Sequence, residues 1–335
     1  LKANVTGVHL DAAGDIDYLD SDRCGELRAD FYVDCTGFSS RLLGETLQVP
    51  FIDRGDVLLA DHALAVQVPY PAVDSPIPCQ TIATARSAGW LWDIGLVTRR
   101  GTGYVYSSDH IDHDAAELEL RDYLRRSIGE QADQVSCRRI PMQVGYRERF
   151  WFRNCAAIGL SQGFVEPLEA TGLLMFDATA RMLAEQFPAT RDLMPLLSER
   201  FNQRVRFAWE RVIDFIKLHY CISDRDDTRF WRDNRDECSI PDSLRENLAL
   251  WRHQVPSEYD FSSRLEIFNL ENYLYVLYGM DYPTDISAIA YRYRGDKQAR
   301  EMVAQSRSLA EQAQSALLPH RALLDKIHRY GLQRV

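Results

Sequence analysis

The sequence contains no pair of cysteines at C-x-x-C spacing. Cys24, Cys35, Cys79, Cys137, Cys155, Cys221 and Cys238 are odd in number and widely scattered. That removes the short-range zinc and dithiol motifs and, with no secretory pattern in view, sets the expectation of reduced thiols in a cytoplasmic protein. No apolar run approaches about 18 residues, so no membrane-spanning helix is expected. Basic charge is scarce: 39 Lys and Arg stand against 49 Asp and Glu, for a formal net charge of -10. A phosphate backbone needs a basic face, so nucleic acid is excluded as a partner, and the pairs Arg99-Arg100, Arg125-Arg126 and Arg138-Arg139 read as solvated surface. A Gly-x-Gly-x-x-Gly turn, the element that grips a dinucleotide pyrophosphate, is also missing. Internal repeats and low-complexity linkers are absent. His110 and His113 lack further ligands at metal-site spacing, so no metal is expected and both read as solvated loop positions.

What is present suffices for a folded core. Hydrophobic residues make up 46% of 335 and charged residues 26%, a length that predicts about two domains. The first 37 residues read as strands, with a turn at Ala13-Gly14-Asp15, and Ser39 to Leu43 can begin a short helix. Residues 56–68, 80–97, 103–107 and 140–146 are apolar or alternating enough to predict a larger sheet, and Asp114 to Ile128 a helix. Beyond residue 172 helices take over: Leu173 to Phe187, then a stripe of Phe201, Val205, Ala208, Val212, Phe215 and Ile216 at helical spacing, read as core. Glu301 to Leu318 forms another helix, stopped by Pro319. The division is placed at 1–187 and 188–335.

Three segments carry candidate chemistry. Ser161 to Gly172, Ser-Gln-Gly-Phe-Val-Glu-Pro-Leu-Glu-Ala-Thr-Gly, follows the apolar run Cys155 to Leu160 and precedes a helix. The N–H groups of Thr171, Gly172 and Leu173 then fall in a first helical turn, without intrahelical acceptors and at the positive end of the dipole. Such a place suits an anion, and a carboxylate beside it suits proton handling. A glutamate before a helix is also commonly only a cap. The second segment, Asp30 to Gly37, ends a strand in Thr36-Gly37, where a backbone can approach a bound dinucleotide or simply turn. The third places Trp90 and Trp92 at i and i+2 of a strand, on one face, to line a cavity or fill a core.

In this order the segments resemble the flavin-dependent tryptophan halogenase family, within the flavoprotein monooxygenase fold. "DCTGF", the W-x-W-x-I segment, "GTGYVYSS" and "GFVEPLEATG" carry the resemblance, with "FNQRV", "DFIKLHY" and "DTRFW" in the helical half. It runs from about Val5 to roughly Met280. The resemblance implies an α+β chain, a partial FAD/NAD(P)-binding, flavoprotein monooxygenase-like fold with a mixed β-sheet and a helical C-terminal region. It implies that reduced FAD, supplied by a separate reductase, and dioxygen turn chloride or bromide into hypohalous acid. The acid then reaches a catalytic lysine beside an aromatic substrate. Glu169, rather than Glu166, matches the catalytic glutamate; Thr171 and Gly172 match the halide site; Leu160 and Leu173 match positions against the flavin, beside Thr36 and Gly37.

Departures from the family set further expectations. The pyrophosphate turn and the catalytic-lysine segment have no match, and Lys2, Lys217, Lys297 and Lys326 sit outside it. A chain that starts at Leu1 and runs straight into strand is therefore expected to be an N-terminally truncated piece, binding FAD poorly and inactive alone. Gly95 stands where the tryptophan motif has proline, and Ala170 where a serine is common. In the substrate region Ile267-Phe268 falls where Phe-Trp would and Asn272 is kept, while Pro256-Ser257 and Ser263 replace a tyrosine pair and a glutamate. Trp90, Trp92, Phe268 and Asn272 are the expected pocket residues, and an indole or phenol other than free tryptophan the expected substrate. An aromatic hydroxylase of the same fold, or a non-catalytic fragment that mediates assembly, are the alternatives. A homodimer is compatible with this reading.

Overall fold

The structure, a computed structural model, describes residues 2–261, 266–293 and 295–332. Two compact units are formed, each from separated stretches: Leu1–Asp61, Pro141–Asn247 and Pro256–Tyr282 make the first, and His62–Ile140, Leu248–Val255 and Pro283–Val335 the second. The expected change of character at 187/188 lies inside the first unit.

The first unit opens with an antiparallel meander, β1 (Val5–Leu10), β2 (Ile16–Ser21) and β3 (Gly25–Arg28). Its first turn is closed by Asp11, whose carboxylate accepts the N–H groups of Ala13 and Asp15 at 2.8 and 3.0 Å. The strands β4 (Tyr32–Asp34) and β5 (Phe51–Asp53) follow before the chain enters the second unit.

There, β6 (His62–Pro69), β7 (Ile82–Arg86), β8 (Gly89–Gly95) and β9 (Arg99–Tyr106) join β10 (Cys137–Pro141) in a five-stranded sheet of order β10-β6-β9-β8-β7. The helix α1 (His113–Ile128) starts where Asp112 accepts the N–H of Ala115. Leu120 and Leu124 of α1 pack on Leu64, Val66, Leu91 and Tyr104 of the sheet. The sequence pattern ran β10 and the next strand together. Residues 140–146 are split, because β10 ends at Pro141 and β11 (Gly145–Arg147) belongs to a different sheet. His110 and His113 are also not solvated: both are half-buried, with Ser107 Oγ 2.8 Å from His110 Nδ1 and Tyr106 Oη 2.8 Å from His113 Nδ1.

Back in the first unit, β11 lies between β5 and β14 (Gly163–Phe164), while β12 (Trp151–Phe152) and β13 (Cys155–Ala157) form a sheet with β4. The β13–β4 pair is parallel, Ala157 opposite Asp34, so both strands end on the same side. Helices α2 (Thr171–Glu185) and α3 (Met194–Cys221) follow. The predicted stripe of α3 is buried throughout, from Phe201 to Ile216. Asn202 explains the "FNQRV" motif: it accepts the N–H groups of Phe150 and Trp151 at 2.7 and 2.8 Å and donates to the Trp151 carbonyl, latching β12 to α3. The remaining helices are α4 (Arg229–Asp233), α5 (Asp242–Trp251), α6 (Leu270–Gly279), α7 (Asp296–Ala316) and α8 (His320–Tyr330). Among the described residues no helix is long and apolar enough to cross a membrane.

Candidate active site

The helix α2 starts two residues before the periodic pattern, at Thr171, and the way the chain enters it is unusual. Glu169 has φ 61° and ψ 13°, and Ala170 has φ 52° and ψ 30°. Two successive non-glycine residues in the left-handed region cost roughly 1–2 kcal/mol each, so their surroundings must hold them there. Locally, the Ala170 N–H donates to the Pro167 carbonyl at 2.9 Å and the Thr171 hydroxyl to that of Leu168 at 3.3 Å. No side chain caps α2 and no acid lies in its first turn, so the N–H groups of Thr171, Gly172 and Leu173 keep the positive helix end open for an anion. Thr171 is buried, Gly172 half-buried and Leu173 exposed.

The two carboxylates of this loop face different surroundings. Glu166 is buried and accepts the Tyr220 hydroxyl at 2.6 Å. Tyr220 in turn packs on Phe230 and Trp231 of α4, the core of "DTRFW". Glu169 is partly exposed, and its carboxylate lies 3.4 Å from His219 Nε2. The hydrogen bond from His219 holds the Glu169 carboxyl below its usual range, against an opposing push from burial. One helical turn before His219, Phe215 stacks on Phe268 at 3.9 Å, so α3 brings a predicted pocket residue within two side chains of Glu169. Lys217, fully buried on α3, donates to Asn234 at 3.1 Å, and burial pushes its pKa down to about 8.

The paired ends of β4 and β13 run into Thr36-Gly37 and Gly159-Leu160. Gly37 and Gly159 have φ of 73° and 81°, and a Cβ built on either would meet nothing within 4 Å. These are two open, left-handed backbone positions beyond the carboxyl ends of parallel strands, where a flat cofactor can lie close to the chain. Asp34 braces them. Its buried carboxylate accepts from Thr36 N and Oγ1 (3.0 and 2.6 Å), Leu42 N (2.9 Å) and Leu43 N (2.8 Å), and its carbonyl accepts from Ile158 N and Ser161 Oγ.

Trp90 and Trp92 share one face of β8 in the second unit, rings 6.4 Å apart and edge-on. Trp92 lies over Gly103 of β9, where any Cβ would meet its ring at 2.2 Å. Phe268 is buried in the first unit, and Asn272 spends its side-chain oxygen on the N–H of Asn269 as part of the cap of α6. Ser257 caps a short turn with Asp260, and Ser263 lies outside the described residues. Reading motifs alone missed His219, Tyr220, Lys217 and the bracing role of Asp34. The i, i+4 pair Phe215 and His219 within "DFIKLHY" was the available signal, since it puts both on one helix face. Among the described residues no three or more His, Cys, Asp or Glu side chains form a metal site.

The tryptophan halogenase family pattern matches residues 1–293. A tryptophan 6-halogenase of Streptomyces toxytricini is 41% identical over 252 residues, 75% of this chain and 47% of its own length. A 7-chloro-L-tryptophan 6-halogenase of Kutzneria sp. (strain 744) is 39% identical over 253 residues, covering 76% of this chain and 48% of that protein. The crystal structure of a tryptophan halogenase from Shewanella frigidimarina superposes with a TM-score of 0.94 at 42% identity, covering 100% of this chain and 63% of that one. The chain thus spans about half the length of the curated relatives it matches. With the mixed helix-and-sheet flavoprotein fold and the ordered motifs, this match makes the chain a member of the tryptophan halogenase family.

Proposed function

We propose that the protein halogenates an electron-rich, indole-like aromatic, using chloride or bromide and reduced FAD with dioxygen. One observation carries the proposal: an uncapped helix start, Thr171–Leu173, with an accessible carboxylate, Glu169, held in a strained conformation immediately before it. The N–H groups of Thr171 and Gly172 hold the halide. Reduced FAD, when bound, would activate dioxygen, whose reduction supplies the two-electron oxidation of halide to an electrophilic halogen. The open backbone at Gly37 and Gly159 fits such a group, which these two residues would hold together with Thr36, Leu160 and Leu173. Electrophilic attack places halogen on a ring carbon, and aromaticity returns when that carbon loses its proton. Glu169, kept ionised beside His219, accepts it.

In this reading residues 1–187 carry the flavin and halide side and 188–335, with Phe268 and Asn272, the substrate side. A separate cytoplasmic reductase supplies the reduced flavin. Ser257 in a cap and Asn272 in a helix start leave few groups to hold an ammonium and a carboxylate, which favours a simple indole over free tryptophan. One assay on the whole protein, with reductase and both substrates in competition, tests the proposal. Product is expected to require chloride or bromide, and indole to be converted ahead of tryptophan. Glu169→Gln is expected to lower kcat by about 10²- to 10⁴-fold. Oxygenated product without halide would make the protein a hydroxylase, and a preference for tryptophan would overturn the substrate assignment.

A further inference from the structure

The geometry points to His219 as a positioning residue for Glu169: from the last turn of α3 it sets the direction of the carboxylate at the start of α2. This rests on the reading of Glu169 as the proton acceptor. The His219 ring is itself immobilised. Its Nδ1 lies 2.8 Å from the Phe215 carbonyl, which can only accept, so Nδ1 carries a proton; Nε2 faces Glu169 and donates to its carboxylate when the ring is doubly protonated, as the imidazolium. Phe215 meets the imidazole edge-on at 5.0 Å and is in turn wedged between Phe268 at 3.9 Å and Tyr273 at 4.8 Å. The ring is therefore held by a hydrogen bond at one nitrogen and a packed aromatic wall beside it.

The backbone of the loop supplies the second observation. Glu169 and Ala170 both hold left-handed conformations that an isolated chain would leave. The restraint comes from two neighbours at the end of α3: Tyr220 binds Glu166, and His219 meets Glu169. The loop is thus gripped at both carboxylates, across the rigid Pro167. Tyr220 anchors its base, and His219 aims the side chain at its tip. A free glutamate with 42% of its side chain exposed would sample several rotamers. The contact with His219 selects one of these beside the start of α2.

The test compares His219→Leu with His219→Gln, whose amide N–H can still donate to Glu169. Thermal melts first establish that both variants fold. The Glu169 carboxylate is then titrated by ¹³C NMR, assigned with Glu169→Gln, a readout that needs neither flavin nor turnover. The signal is expected to titrate at higher pH in His219→Leu and to stay nearer the parent's value in His219→Gln. On the whole protein, kcat is expected to fall roughly 10- to 100-fold in His219→Leu with KM for the aromatic within about 2-fold, and to recover in His219→Gln. A folded Leu variant with unchanged titration and kcat overturns the proposal, as does an equal loss in the Leu and Gln variants. Failure of the underlying reading shows separately, as full turnover in Glu169→Gln.

Discussion

The strain at Glu169 and Ala170 is the feature that distinguishes this loop from an ordinary helix entry. A left-handed alanine has no polar side chain to offset its Cβ contact with the following carbonyl, so the conformation is imposed by what surrounds it. Glycine has no such contact. Ala170→Gly is therefore expected to leave unfolding free energy within about 1 kcal/mol of the parent, because relief of strain offsets the added chain entropy. Ala178→Gly, on the exposed middle of α2, is expected to cost about 1 kcal/mol, measured by urea unfolding of both variants. If the Ala170 change costs as much as the Ala178 change, the left-handed geometry is not under strain. The two glutamates make a related point. They differ by only three positions, yet Glu166 is spent on Tyr220 inside the fold, and Glu169 keeps an accessible carboxylate.

At the scale of elements, α3 organises the first unit. Its middle buries the predicted apolar stripe, its N-terminal half latches β12 through Asn202, and its last two turns present Phe215, Lys217, His219 and Tyr220 to the Glu166–Ala170 loop, α4 and the 266–282 segment. The latch sets where that last turn lands. Asn202→Leu keeps the volume but leaves the Phe150 and Trp151 N–H groups buried without an acceptor, and is expected to cost about 3 kcal/mol or more. Chemical denaturation measures this, and a loss below about 1 kcal/mol would show that β12 holds its place without α3. The parallel pair β4–β13 does the complementary work where flavin binding is proposed. Asp34 gathers donors from Thr36, Leu42 and Leu43, so the open turn at Gly37 is braced from beneath rather than left as a loose loop.

At the scale of the whole molecule, buried charge makes stability depend on pH in two windows. Burial raises Asp214 from 3.8 to about 6, although Arg211 opposes the shift. Between about 4 and 6 the native chain keeps a proton that the unfolded chain has lost, so stability falls as pH rises, by up to about 1.4 kcal/mol per pH unit. Lys217 behaves in the opposite sense. Burial lowers it from 10.5 to about 8, so between these values the unfolded chain holds the extra proton and stability rises with pH. Urea midpoints across pH 4–10 are expected to show both slopes, with Asp214→Asn removing the first and Lys217→Met the second. A slope that survives its own substitution would assign it to another group.

Much of this was determined by the sequence alone, because the signals are local. Helical periodicity marked α1 and α3, alternation put Trp90 and Trp92 on one face, and the strand–loop–helix order of Ser161 to Gly172 located the uncapped helix start of α2. The ordered motifs carried the family. Local pattern could not separate residues 140–141 from 145–146, since an apolar stretch does not state which sheet its strands join. Nor could it show that His110 and His113 are half-buried against hydroxyl groups. Above all, Glu166 and Glu169 are equivalent to any local rule. The family resemblance favoured Glu169, and the packing of α3 supplies the physical difference: it delivers Tyr220 to a carboxylate 54 residues earlier, which is buried, and His219 to the next, which stays exposed. Partners brought together by tertiary packing set the desolvation and hydrogen bonding of a carboxylate, and those two terms determine what it can do.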